Sequence, residues 1–202
     1  MEKDKININK NINNNIENIK PKIENIVCTL SLGCELNLKI ISLQVRNIEY
    51  NPNKKKCLIM RIKEPKSTAM IYSSGKMILT GTKSEKDCLK VTEIIEKTLQ
   101  NIGYKPKLKD FQIRNMVGSC YINFQLNLNK LKTKLISNEK EKVSCTYEPE
   151  IFPGLIYRIQ EPKMSISIFK SGKIIIAGAK QSNQISKAFE TIIDILKACK
   201  AN

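Results

Sequence analysis

The first chemical fact in the sequence is an absence: none of its 202 residues is histidine. Schemes built on a Ser–His or Cys–His pair, and metal sites that need imidazole, are therefore excluded. The seven cysteines, at 28, 34, 57, 88, 120, 145 and 199, form no Cys-x-x-Cys pair. Their odd number and the lack of an export signal read as reduced, intracellular packing residues. The acids suggest no catalytic pair beyond helix-surface Glu and Asp. The expectation is a protein that is not an enzyme and holds no metal or cofactor. What remains is the chemistry of cations. Lys and Arg number 35 against 19 Asp and Glu, a net charge of +16. That excess favours a polyanionic partner, nucleic acid or an anionic membrane surface, although a soluble protein with many surface lysines fits it equally. No apolar run approaches eighteen residues, so no membrane span is expected.

The cations fall into a pattern once the chain is compared with itself. "YSSGKMILTG" at 72–81 returns as "FKSGKIIIAG" at 169–178. Shifting 50–83 by 97 positions onto 147–180 gives 16 identities in 34, among them Arg61/Arg158, Lys66/Lys163, Ser74/Ser171, Lys76/Lys173 and Lys83/Lys180. Earlier in the chain the shift is 90, with "NIVCTL" at 25 matching "NMVGSC" at 115. About seven extra residues in the second copy are assigned to the charged stretch "SNEKEKV", 137–143. Residues 1–22, mostly Asn, Ile and Lys, read as a disordered tail. Two half-domains follow, 23–108 and 109–202.

Each copy reads as the same series of elements. An extended segment (26–32; 116–124) precedes a short helical piece, "LNLKIISLQ" or "LNLNKLKTKL". Three strands follow: "CLIMRIKE", "STAMIYS" and "KMILTG", then "LIYRIQE", "MSISIFK" and "KIIIAG". Glu-Pro and Ser-Gly-Lys supply the turns between them. A closing helix is expected at about 84–102 and 181–199. Ser84 with Asp87, and Ser182 or Asn183, are candidate N-caps. Ile94, Ile95, Thr98, Leu99 and Ile102 share a helical face, as do Phe189, Ile192, Ile193 and Leu196. Short turns imply antiparallel pairing, with one helix per copy covering one sheet face.

The strands "KMILTG" and "KIIIAG" are apolar at successive positions, so the face away from the helices is apolar too. An exposed apolar sheet in a basic protein marks a binding surface, unless another layer or a second copy covers it. An apolar face rimmed with Lys and Arg suits a widened DNA minor groove, whose floor is poor in distinguishing polar groups and whose walls are phosphate.

The stretches "NPNKKKCLIMRIKEPKSTAMIYSSGKMILTGTKSE", "FQIRNMVGSC" and "YEPEIFPGLIYR" resemble the core of the TATA-binding-protein family over about 24–200. Minor-groove binding with kinked DNA is that family's own established mode. The resemblance implies an α+β, saddle-shaped, pseudo-symmetric ten-stranded antiparallel sheet with four helices on the convex face. It implies a nuclear general transcription factor that binds and bends AT-rich promoter DNA. It places wedge residues at Phe152 and Phe169. In the first copy Tyr72 stands where the family has Phe, and Lys55 stands where the other Phe is expected, so the two kinks are expected to differ. Asn25 and Asn115 match the central asparagines. Val27, Val117, Ile78 and Ile175 match floor contacts. Thr80 matches a base-contacting Thr, whereas its counterpart is Ala177; Ser167 replaces a leucine.

Phosphate contacts carry over to Arg61, Lys66, Lys76, Lys83, Arg158, Lys163, Lys173 and Lys180, with Ser74 and Ser171 as hydroxyl donors. The window 50–83 has eight basic residues and one acidic, net +7, whereas 147–180 has five and three, net +2. The stirrup "YEPEI" implicates Glu148, Glu150 and Ile151 in binding transcription factor IIB. Transcription factor IIA and TATA-binding-protein-associated factors are further partners by resemblance, although the helix 84–102 lacks the family's strong basic charge. Alternatives are a family paralogue with altered DNA specificity acting through protein partners, an accessory half-saddle of a nucleic-acid enzyme, and a protein-binding scaffold. A homodimer through the apolar face is a further option when DNA is absent.

Overall fold

The computed structural model describes residues 19–137 and 144–201. Most of the expected tail, and nearly all of the charged stretch at 137–143, lie outside those residues. The described elements run β1 (Lys22–Ser31), α1 (Leu38–Gln44), β2 (Ile48–Glu49), β3 (Cys57–Ile62), β4 (Ser67–Tyr72), β5 (Lys76–Thr82) and α2 (Glu85–Asn101), followed by β6 (Lys109–Tyr121), α3 (Leu128–Ser137), β7 (Ser144–Thr146), β8 (Gly154–Ile159), β9 (Met164–Phe169), β10 (Lys173–Ala179) and α4 (Ser182–Lys197). The sheet order is β2-β3-β4-β5-β1-β6-β10-β9-β8-β7. This is the ten-stranded antiparallel α+β architecture, with four helices among the described residues. The chain divides into two compact units, one spanning Ile23–Met116 and the other built on Val117–Asn202.

Within the first unit the strands sort their side chains by alternation. Ile26, Cys28 and Leu30 of β1, Ala69 and Ile71 of β4, and Met77 and Leu79 of β5 are all buried at 5% exposure or less. They pack beneath α1 and α2. The second unit repeats the rule: Ile166 and Ile168 of β9, with Ile174 and Ile176 of β10, are fully buried. Residues between them on each strand stay half-buried on the other face.

The Ser-Gly-Lys turns are fixed by what lies above them. Gly75 and Gly172 have φ of 79° and 87°. Their carbonyl oxygens accept from Leu32 N at 2.8 Å and Ile122 N at 3.0 Å, tying each turn to the end of β1 or β6. A Cβ at Gly75 would strike the Cys34 carbonyl oxygen, and one at Gly172 the Ile122 carbonyl oxygen. Glycine is thus required twice over, by backbone angle and by space.

Several expectations shift in detail. Strand β6 starts seven residues earlier than 116; its first four residues, with a lone Phe111 among polar neighbours, are all exposed and show no alternation. The edge strands β2 and β7, of two and three residues, are too short to show a period. Ser84 caps α2 as expected, accepting from Asp87 N at 3.0 Å. Neither Ser182 nor Asn183 caps α4: Gln181 is the N-cap, and Gln184 Oε1 accepts from Lys180 N and Gln181 N at 2.7 and 3.1 Å. The buried face of α2 is Cys88, Val91, Thr92, Ile95 and Leu99, while Ile94 is 40% exposed. The adjacent pair Ile94–Ile95 fits two helical faces, and the sheet selects the one containing Val91 and Leu99. In α4, Phe189, Ile192 and Leu196 are buried as expected, joined by Ile185 and Ala188.

The corrected face of α2 makes a simple contrast. Ile95→Ala is expected to cost about 2–5 kcal/mol of unfolding free energy. Ile94→Ala should change it by no more than about 0.5 kcal/mol. Urea denaturation of the two variants separates the outcomes, and equal losses would return Ile94 to the core.

Candidate nucleic-acid interface

On the face away from the helices, the first unit lines up its side chains in rows set by strand register. Ile59, Met70, Ile78 and Thr29 lie opposite one another across β3, β4, β5 and β1. The next row is Arg61, Thr68, Thr80 and Val27. Tyr72 stands at the outer end, paired with Cys57. The second unit repeats this with Ile156, Ser167 and Ile175, then Arg158, Ser165 and Ala177. Most of these residues are half-buried. A row of small and branched side chains therefore crosses each half without helical cover.

Asn25 sits at the inner end of the first half's rows. Its Oδ1 accepts from Gly81 N at 2.8 Å and from the Thr80 hydroxyl at 3.2 Å. A backbone N–H can only donate, so the amide oxygen must face Gly81. The Nδ2 group is then left as a free donor. Asn25 can therefore offer hydrogens to acceptor groups above the sheet, such as the N3 and O2 atoms on the minor-groove edge of A·T pairs. Asn115 and Val117 are half-buried on β6, and Val27, Ile78, Thr80 and Ile175 are half-buried in their rows.

The outer ends of the two halves differ. Phe152 and Phe169 are half-buried, not interior, and meet edge to face with ring centroids 5.7 Å apart and planes at 63°. Gly154, opposite Phe169 across the strands, lies beneath both rings; a Cβ there would come within 2.8 Å of Phe152 and 3.0 Å of Phe169. In the first half Cys57 takes the Gly154 position under Tyr72, and Lys55 takes the Phe152 position. The turn carrying Lys55 is unshifted. Lys55 N bonds Asn51 O at 2.9 Å, and the equivalent Phe152 N bonds Glu148 O at 2.9 Å. Lys55 is exposed. The substitution thus exchanges a ring for an ammonium on the same backbone frame.

The predicted phosphate-binding cations are all exposed: Arg61, Lys66, Lys76 and Lys83 in the first half, Arg158, Lys163, Lys173 and Lys180 in the second. Ser74 and Ser171 are exposed in their turns. Two of the cations already have partners. Arg61 pairs with Glu49 at 3.3 Å, and Lys83 with Glu24 at 3.0 Å. Exposed pairs of this kind contribute about 0.2–1 kcal/mol, little enough for a phosphate to displace the carboxylate. Glu148, Glu150 and Ile151 share one exposed turn, with Ile151 81% exposed.

Sequence reasoning missed Thr29, Met70, Ile156 and Arg114. The first three follow from extending the two-residue alternation across neighbouring strands. Arg114 donates from Nε to the Thr29 hydroxyl at 2.9 Å; only its charge, opposite to that of Glu24 at the equivalent position, could have flagged it. Cys88, lowered from the usual thiol range by its hydrogen bond with Cys28, is fully buried and out of reach of any ligand. Cys28 is buried, and its thiol is held well above the usual range by its hydrogen bond with Cys88 and by burial. Burial pushes Cys120 up to about 12. Among the described residues no group of three or more His, Cys, Asp or Glu is placed to hold a metal ion.

Comparison with known proteins gives a consistent result. The family model described as transcription factor TFIID (or TATA-binding protein, TBP) matches residues 20–102 and 110–199. The chain is 44% identical over 178 residues to a TATA-box-binding protein of Acetabularia peniculus, covering 88% of this chain and 90% of that protein. It is 47% identical over 178 residues to the TATA-box-binding protein of Saccharomyces cerevisiae, covering 88% and 72%. The solved structure of Methanococcus jannaschii TBP superposes with a TM-score of 0.74 at 32% identity, covering 89% of this chain and 99% of that one.

The missing side chain at position 154 can be tested directly. Gly154→Ala should displace the Phe152 and Phe169 rings while β8 stays paired. The aromatic proton shifts of both rings are expected to move in NMR spectra, with the amide shifts of Ile166 and Ile168 little changed. Unmoved ring signals would mean that the absent Cβ does not set their position.

Proposed function

The chain belongs to the TATA-binding-protein family, and from that premise we propose that it is a general transcription factor that binds TATA-type promoter DNA through the minor groove. The observation that carries the reading is the uncovered face of each half: rows of small and branched side chains, an amide donor at Asn25, and cations around them. Ile78, Ile175, Val27 and Val117 lie against the groove floor, which A·T pairs leave free of the guanine amino group. Asn25 and Asn115 donate to the floor's acceptors, and Thr80 supports Asn25. Arg61, Lys66, Lys76, Lys83 and their counterparts Arg158, Lys163, Lys173 and Lys180 neutralise the phosphate walls, with Ser74 and Ser171 as hydroxyl donors. The protein acts in the nucleus.

The wedges are unequal in this proposal. Phe152 and Phe169 enter a base step as a pair of rings, with no hydrogen-bonding group to desolvate. Tyr72 enters the other step alone, carrying a hydroxyl that must find a partner. Lys55 stays hydrated or meets a phosphate. The second half therefore makes the sharper kink, and the more basic first half holds its DNA more through charge.

The same frame presents the turn with Glu148, Glu150 and Ile151 to transcription factor IIB: two acids and an exposed apolar side chain fit a basic partner with an apolar pocket. Transcription factor IIA and TATA-binding-protein-associated factors are the further partners, met through surfaces that do not touch DNA.

A gel shift with TATA-type and GC-rich duplexes tests the central claim. Strong preference for the TATA duplex is expected, with log affinity falling against log salt by about 0.9 per neutralised phosphate. Equal affinity for both duplexes would refute it. Asn25→Asp, which replaces the amide donor by a carboxylate facing acceptors, should weaken TATA binding by about tenfold to a hundredfold. In a phased bending assay the kink beside Phe152 and Phe169 should be the larger, and Lys55→Phe should narrow the difference; two equal kinks in the unaltered protein would remove the asymmetry.

A further inference from the structure

One charged side chain on the uncovered face of the first unit has no assigned task. Arg114 is exposed on β6 and fastened by its Nε to the Thr29 hydroxyl, 2.9 Å away. It borders an open groove of about 470 Å³ together with Thr29, Tyr72, Lys76 and Ile78. Three of those neighbours, Thr29, Tyr72 and Ile78, belong to the rows described above. The guanidinium is planar and carries five N–H donors in a fixed fork. One N–H is used on Thr29, which ties the group to the wall of the groove it lines and leaves its remaining donors with no other partner among the described residues. Held this way, the group has lost much of its rotamer freedom before any ligand arrives, so less is lost when it binds.

The repeat supplies an internal comparison. The position equivalent to Arg114 in the first copy is Glu24, which is anchored to Lys83 at 3.0 Å. The equivalent of Lys83 is Lys180. An arginine cannot pair with a lysine, so the anchor that holds Glu24 is closed to Arg114 by sign, and the hydroxyl of Thr29 takes its place. Equivalent positions thus present a donor fork in one case and a carboxylate already engaged with a lysine in the other.

We propose that Arg114 is a further base-reading residue of the DNA-binding face, donating from its remaining N–H groups to the minor-groove acceptors of A·T pairs and rejecting the exocyclic amino group of guanine. The inference rests on the DNA-binding reading above and deepens it. A guanidinium has donors only, and so does the guanine N2 amino group where it lines the groove; the two repel and leave each other unsatisfied. The thymine O2 and adenine N3 atoms accept instead. Because Glu24 offers no donor, this discrimination belongs to one position of the repeat and is not doubled.

The test uses inosine, which pairs with cytosine but lacks the guanine amino group. Affinities are measured for a TATA-type duplex and for variants in which each central pair is replaced in turn by G·C or by I·C. At the pair read by Arg114 the full chain should bind the I·C duplex at least tenfold more tightly than the G·C duplex. Arg114→Gln should narrow that gap at least threefold at that pair and leave the gaps elsewhere unchanged. Arg114→Lys, which keeps the charge but loses the fork and the Nε anchor, should narrow it as well. A gap profile that is unchanged in Arg114→Gln overturns the proposal. So does a uniform loss across all duplexes with a salt dependence shallower by about one phosphate, which would make Arg114 a phosphate contact. Failure of the unaltered chain to prefer any TATA-type duplex would refute the DNA-binding reading itself, and thermal unfolding of each variant separates a binding loss from a folding loss.

Discussion

The structure depends on a conflict in the strands. The strands β5 and β10 are largely apolar on both faces, with small and hydroxyl side chains beside them on β4 and β9, yet the helices cover only one face. The buried face, with Ile26, Ile71, Leu79, Ile166 and Ile176, satisfies the usual demand to remove apolar surface from water. The other face does not, and its residues stop at half-burial. Small and β-branched side chains predominate there, Val27, Thr29, Thr68, Ile78, Ser165 and Ala177, which keeps the uncovered surface low and even. A partner that brings its own flat floor and charged rim can finish the burial that folding leaves incomplete. The helices secure the fold, and the open rows await the ligand.

Around that constraint the two copies have kept their backbone and exchanged their side chains. Gly75 and Gly172 close the same turn, each accepting from the equivalent N–H of Leu32 or Ile122. Cys57 and Gly154 occupy the same register position, as do Tyr72 and Phe169. The first half carries a lysine, Lys55, where the second carries the Phe152 ring, and of that pair of positions keeps an aromatic ring only at Tyr72. Apolar insertion acts at contact range, whereas charge acts across several ångströms and is weakened by salt. In the proposed DNA-binding reading the two halves hold a polyanion by different physics within one frame, and the asymmetry lies in what projects from the frame.

Much of this was legible in the sequence, and the illegible parts share physical causes. The repeat exposed the run of three successive strands within each copy, because identical turns recur at identical spacing, but not that β1 lies beside β5. The strands β3, β4 and β5 were visible because their apolar runs are bounded by Glu-Pro and Ser-Gly-Lys. The start of β6 was not, since Lys109–Gln112 are exposed and give no period. The edge strands were too short to speak at all, and only family resemblance supplied the count of ten. Ile94 was misplaced because two adjacent isoleucines fit two helical faces, and only the packed sheet chooses. At the site, one-letter codes named Asn25 but could not orient its amide; that took the N–H of Gly81. Arg114 was missed for a related reason, since its significance lies in the hydroxyl that holds it. Pairings between distant segments are what a linear reading sees last.

The turn at 51–55 carries a further implication. Its hydrogen bonds match those at 148–152, so the same main-chain frame accepts a lysine or a phenylalanine at its end. A change confined to one side chain is a short evolutionary step in either direction. Lineages could exchange a ring for an ammonium at this end of the molecule through a few nucleotide substitutions, changing what the frame presents without disturbing the frame itself.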